Sequence, residues 1–347
     1  MSATYTVGDG KTYATPQAAF AAIVAALSGD ISGQGVHTIE VYAKAAGYAD
    51  GAIDLSTGLV GQSATDYVEM VAMVSHGGDR DAGIVLDVGS VTVDDRINLG
   101  DYTRFHGFCL TATSFKNATV AIRMIASLAD FTKIYDNIIY DAKCTIDSSV
   151  YGIRLGGEGC EVWNNQVFHI GPDAHDHGRA IYADGGTIGN PNQIHNNTVV
   201  GPTVGADQLM GYGIQTVAGS YNDVRNNVSM NCTSQDYRRD SVLGTFEHNI
   251  SSDATAGAAD GCLSSKVSAN QFVSVANGSE DYHLLVGADC NKNGSDLSAL
   301  FTDDCRGYTR DPAGFNTGAF EYEDYVPAAD LDTLIQPAML GAIASGH

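Results

Sequence analysis

The densest cluster of reactive side chains is Asp173-Ala-His-Asp-His-Gly-Arg179, where carboxylates, imidazoles and a guanidinium share one short segment. Carboxylates can give and take protons at a glycosidic bond, and a cation beside them can hold an anionic group of the same substrate. Asp173, Asp176 and Arg179, with Arg238 from the later segment Asp236-Tyr-Arg-Arg-Asp240, are the set that such chemistry on a sugar polymer would use. His175-x-His177 offers ligand types for a metal, although two neighbouring loop imidazoles are commonly just solvated. A second cluster, Asp289-Cys-Asn-Lys-Asn-Gly294, places Asp289, Asn291 and Asn293 at the first three oxygen positions of a calcium loop, with glycine at the sixth. Leu300 stands where that loop needs its bidentate glutamate, so an Asn/Gly-rich turn is the plainer reading and calcium the alternative. No other cofactor is expected. There is no phosphate-cradling glycine loop and no nucleophilic triad.

These segments need a scaffold, and a repeat announces one. Five stretches read alike: Ile134-Tyr-Asp-Asn-Ile-Ile139, Val162-Trp-Asn-Asn-Gln-Val167, Ile194-His-Asn-Asn-Thr-Val199, Val224-Arg-Asn-Asn-Val-Ser229 and Phe246-Glu-His-Asn-Ile-Ser251. Their shared asparagines, Asn137, Asn165, Asn197, Asn227 and Asn249, are spaced by 28, 32, 30 and 22 residues. A period of about 20–50 residues marks a solenoid. Apolar residues flank the polar pair at strand spacing, and a second echo (Tyr151-Gly-Ile153, Ala180-Ile181-Tyr182, Tyr212-Gly-Ile214) gives each unit at least two strands. Units of this kind are coils of a parallel β-helix. Stacked asparagines can bond side chain to side chain, so the five read as a structural ladder and not as chemistry. Asn227-Val-Ser and Asn249-Ile-Ser are glycosylation sequons only by accident of that ladder.

The Asn motif, with Phe105-His-Gly-Phe-Cys-Leu110 in the first-coil position, resembles the right-handed parallel β-helix, or pectate-lyase-like, superfamily over roughly residues 37–322. The resemblance implies an all-β, right-handed single-stranded solenoid. For pectate lyases it implies calcium-binding acids beside a basic residue, and for β-helix glycosidases paired aspartates with a Gly-His-Gly segment; neither pattern is intact here. Phe315-Asn-Thr-Gly-Ala-Phe-Glu-Tyr322 resembles the closing strand of many β-helix repeat proteins. The opening Tyr5-Thr-Val-Gly-Asp-Gly-Lys-Thr-Tyr-Ala-Thr15 is similar to openings of phage-encoded β-helix proteins.

Four regions are expected: residues 1–36, a strand and a capping helix that starts at Thr15-Pro16; 37–275, the coils; 276–322, a closing segment; and 323–347, an apolar tail. The helix would bury Ala18, Phe20, Ile23, Val24 and Leu27. The tail residues Leu331, Leu334, Ile335, Met339, Leu340 and Ile343 are candidates for docking on a partner subunit or on the chain itself. Segments after each Asn strand (141–150, 171–179, 201–210 and 231–243) stack on one flank, the expected binding face. A net charge of −23 disfavours nucleic acid and anionic membranes. No apolar run reaches membrane-spanning length and no secretory signal is visible. Seven cysteines without a CxxC pair fit synthesis in a reducing cytoplasm, with Cys290 and Cys305 the one pair expected to be able to meet. The leading expectation is a non-enzymatic structural protein on a phage virion surface (head decoration, fibre or tail component) that assembles with other virion subunits or with copies of itself. The alternatives are a polysaccharide lyase or hydrolase of tailspike type, or a carbohydrate-binding β-helix, either of them extracellular.

Overall fold

The computed structural model describes residues 2–45, 47–48, 52–88, 95–115, 122–144, 149–172, 177–202 and 210–322. The chain winds into a right-handed parallel β-helix with three parallel sheets of nine, seven and seven strands. The nine-stranded sheet starts with Ala3–Val7, which pairs with Val36–Val41, and ends with Phe246–Glu247. The second sheet runs from Ile84–Asp87 to Ile250–Ser251, and the third from Ile53–Leu55 to Gln235–Arg239. From Tyr67–Ala72 onward each coil contributes a strand to each sheet until the last turn, so residues of one coil sit in register above those of the next. Ile97, Ile125, Ile153, Ile181 and Ile214 form one such inward row, and Tyr237 continues it.

The corner between the first and second sheets explains the Asn motif. The first member of each polar pair (Asp136, Asn164, Asn196, Asn226, His248) takes a left-handed backbone with φ of 50–56°, which Asn, Asp and His tolerate best after glycine. The second member points inward. Asn137 Nδ2 donates to Asn165 Oδ1 (3.0 Å), Asn165 to Asn197 (3.0 Å), Asn197 to Asn227 (3.0 Å) and Asn227 to Asn249 (3.1 Å). All five ladder residues are fully buried. The ladder stops where Asn249 N–H meets the Cys262 thiol instead of another amide (3.4 Å).

One end of the solenoid is closed by the helix Pro16–Ala26, whose N-cap Thr15 accepts from Ala18 N–H. Its buried face is Pro16, Ala19, Phe20 and Ile23. Ala18 is exposed instead, because the first turn lies across the coil with Ala19 beneath it.

The central strands of the second sheet are buried on both faces, every residue of Gln166–Pro172 included, as happens when a sheet is covered on both sides. The inner face lines the solenoid core. The outer face (Ile138, Tyr140, Phe168, Val200, Val228 and Met230) is covered by a second core from the C-terminal segment: Phe272, Tyr282, Leu284, Cys290, Ala319 and Phe320. This segment, residues 271–322, is a strap. It grips the corner row: Asn164 Nδ2 donates to Asp303 O (2.7 Å), Asn196 Nδ2 to Asn316 O (2.7 Å) and Asn226 Nδ2 to Ser295 O (2.8 Å). Arg310, fully buried, donates to Asn164 Oδ1 (2.9 Å) and pairs with Glu321 (3.3 Å), while Arg306 pairs with Asp304 (2.8 Å). Cys109, Cys160, Cys232, Cys262, Cys290 and Cys305 are free. No helix among the described residues is long and apolar enough to cross a membrane.

Candidate functional site

The nine-stranded sheet turns two rows outward. One runs Glu69, Arg104, Lys133, Glu161, Gln193, Asp223; the other runs Val71, His106, Tyr135, Trp163, His195, Arg225. The first row mixes acids and bases, with Lys133 Nζ 2.8 Å from Glu161. In the second, the rings of His106, Tyr135 and Trp163 stack at 4.3 Å centroid spacing with nearly parallel planes, and Phe301 of the strap extends the stack over Trp163 at 5.9 Å. Strands about 4.8 Å apart set that spacing. The ring faces cover one another, so the stack steadies the coils and offers its edges, not its faces, to a ligand.

Between this sheet and strap residues 300–303 lies a cleft of about 330 Å³. Arg104, Lys133, Tyr135, Asp136, Trp163 and Asn164 form one wall, and Leu300, Phe301, Thr302 and Asp303 the other. Asp136 Oδ1 is shut off from water without a hydrogen-bond partner. Burial raises the carboxyl to about 7, with Asn164 pulling the other way. The Arg104 guanidinium lies over the Tyr67 ring at 4.0 Å. Glu69, opposite it in register, sits 3.4 Å from His106, and among the described residues no carboxylate comes within 4.0 Å of Arg104. His195, deep under the same row, is held neutral by burial, its pKa pushed down to about 4.

The segment singled out in the sequence lies on a different face. Arg179 and Arg238 stand on outward rows of the third sheet and meet around Tyr212, at 5.6 and 4.9 Å from its ring. Arg179 donates to Gln215 Oε1 (2.8 Å) and Ser149 Oγ (3.0 Å), and Gln215 donates on to Asp240 (3.0 Å), the partner of Arg238 (2.9 Å). Asp173 and Asp176 lie outside the described residues, as do His175, Asp147, Asp207 and the tail residues Leu331, Leu334, Ile335, Met339, Leu340 and Ile343. Asp236 and Tyr237 do not join the flank. Asp236 is fully buried and accepts from Cys232, Ser252 and Asp253 N–H groups, while the Tyr237 hydroxyl donates inward to Asn227 O at 2.6 Å. In a closed loop the unpaired N–H groups draw the carboxylate in, and the inward register of the strand takes the tyrosine with it.

At the calcium-like segment, Asp289 is bound by Lys266 (2.8 Å) and Gln271 (2.9 Å), Asn291 Nδ2 donates to Leu285 O, and Asn293 Nδ2 donates to Gly261 O. No cluster of three or more His, Cys, Asp or Glu arranged to hold a metal occurs among the described residues.

Sequence reasoning missed Asp136, Arg104 and Trp163. A signal existed for the first: Asp136 is an acid at the corner position where the next three motifs carry Asn164, Asn196 and Asn226. No signal existed for its cleft, because the opposite wall comes from the aperiodic strap. No family model, curated protein or solved structure matches the chain.

Proposed function

We propose that the protein is a structural β-helix of the pectate-lyase-like kind that serves as a phage virion subunit, a head decoration, fibre or tail component, assembled with other virion proteins or with its own copies. One observation carries this reading: the outward rows are largely satisfied by their own neighbours. Arg123 pairs with Asp95 (2.6 Å), Lys133 with Glu161 (2.8 Å), Arg154 with Asp184 (2.7 Å), and Arg225 lies between Asp223 and Glu247. An exterior so paired suits a rigid element, whereas a catalytic groove keeps unpaired groups aimed at substrate. The resemblance of the opening segment to phage-encoded β-helices points the same way. The test is particle association. The full chain should co-sediment with virions on a density gradient, and a chain lacking residues 323–347 should not. Recovery of the full chain only as a free monomer overturns the reading. The enzymatic alternative predicts unsaturated or reducing ends from acidic polysaccharides; none are expected.

A further inference from the structure

We propose that the cleft between the nine-stranded sheet and the strap binds one hydroxylated carboxylate of monosaccharide size, with its anionic group on Arg104. This goes beyond a structural role and does not depend on it.

Size comes first. A volume of about 330 Å³ is at the low end for ligand pockets, enough for a single small molecule and not for a polymer segment. Charge selects the anion. Lys133 is already committed to Glu161; Arg104 lies over the Tyr67 ring and attracts Glu69 at longer range, but among the described residues it has no carboxylate within 4.0 Å, in a protein of net charge −23. An arginine that stacks on a ring and has no bonded carboxylate keeps its fork for an external oxyanion, which it holds through two parallel hydrogen bonds.

The aromatic wall agrees. A sugar face packs on a ring face, yet the faces of Tyr135 and Trp163 are covered by their stack neighbours. The rims that remain are the positive part of the ring quadrupole and favour an anion. Asp136 stands in the same wall, its carboxyl raised by burial and Oδ1 without a hydrogen-bond partner. The fixed opposing charge in the lining is Asp303, which is exposed and engaged by the Thr309 hydroxyl at 3.2 Å. Thr302, also exposed, supplies a hydroxyl to the same wall.

Trp163 is the only tryptophan in the chain, so its fluorescence reports on this cleft alone. The full-length protein is titrated at pH 7 with sodium D-glucuronate and, separately, with D-glucose, and equilibrium dialysis measures binding independently of the signal. Glucuronate should give a saturable response and glucose none. Arg104→Gln should weaken glucuronate binding at least about tenfold, and Arg104→Lys, which keeps the charge, by less. Arg238→Gln, on another sheet, should bind as the parent does, and circular dichroism checks that each variant is folded. The proposal is overturned if dialysis detects no glucuronate binding, if glucose binds equally, or if folded Arg104→Gln and Arg104→Lys both bind like the parent.

Discussion

A buried primary amide brings two donors and an oxygen that accepts twice, and a stack of coils meets these demands with further copies of itself. Asn165 donates to Asn197 Oδ1, Ile134 O and Trp163 O at 2.9–3.0 Å, and its own oxygen accepts from Asn137 N–H and Nδ2. Asn165→Leu keeps the volume but orphans the Asn137 N–H, takes one of three acceptors from Asn137 Nδ2, and removes the amide bonds to Ile134 O and Trp163 O. An orphaned buried group costs about 1–3 kcal/mol and each lost bond about 1 kcal/mol, so a loss of about 3 kcal/mol is expected. Asn137 is different: its oxygen accepts only the Phe108 N–H, since the coil before it has no ladder amide. Asn137→Leu should therefore cost clearly less, and urea midpoints of the two variants test the order. Equal losses would mean the ladder is not read pairwise. A smaller effect, about 1 kcal/mol, is expected for Tyr237→Phe, which removes the bonds to Asn227 O and Ile250 O.

At the scale of elements, the strap is where pH should act. The Asp136 carboxyl sits near 7 in the folded chain because it is buried, against an ordinary value of about 4. The folded state therefore holds the proton more tightly. The contribution to stability is complete below about pH 4 and is lost as pH rises through 7, on the order of 3 kcal/mol in all. His195, held neutral down to about 4, acts in the opposite sense: its contribution is complete above its ordinary value and falls away as pH drops through 4. Asp136→Asn removes only the first effect. Hydrogen exchange of residues 301–322 should speed up between pH 4 and 7 in the parent, after correction for intrinsic rates, and stay flat in the variant. Identical profiles would remove Asp136 from the strap's energetics. These elements also divide what was legible from what was not. The coils could be read because a ladder contact imposes the same residue at every turn, and Ile153, Ile181 and Ile214 repeated for the same reason. The helix start could be read from Thr15 and Pro16, since capping is local. A closing segment over 276–322 is expected from the sequence, but its course over the second sheet, its outer core and the Asp136 cleft could not be read, because their contacts join residues such as Asn164 and Arg310 that are far apart in sequence and recur nowhere else. Asp236 and Tyr237 looked like surface chemistry because polarity alone does not say which way a short loop turns.

Over the whole molecule, 41 acidic residues face 18 basic ones. Much of the basic charge lies in paired outward rows, which leaves a surplus of unpaired carboxylates that repel one another along the rod. Raising sodium chloride from about 0.05 to 0.5 M shortens the Debye length several-fold and should raise the melting temperature; a fall would show that the paired rows outweigh the repulsion. Removing the strap, by ending the chain at residue 270, should bare Ile138, Phe168, Val228 and Met230 and produce dye-binding, self-associating material. A truncated chain that stays monodisperse would show the second core to be dispensable. The corner grip has a mechanical consequence. The strap reaches Asn226 through Ser295, Asn164 through Asp303 and Arg310, and Asn196 through Asn316 and Gly318. Tension applied beyond Tyr322 therefore loads bonds on three successive coils in shear, together with the buried Arg310–Glu321 pair, before any rung can be peeled. A molecule pulled by its C-terminal end would yield at a high force in one step, while the same molecule pulled from its helix-capped end would unwind coil by coil.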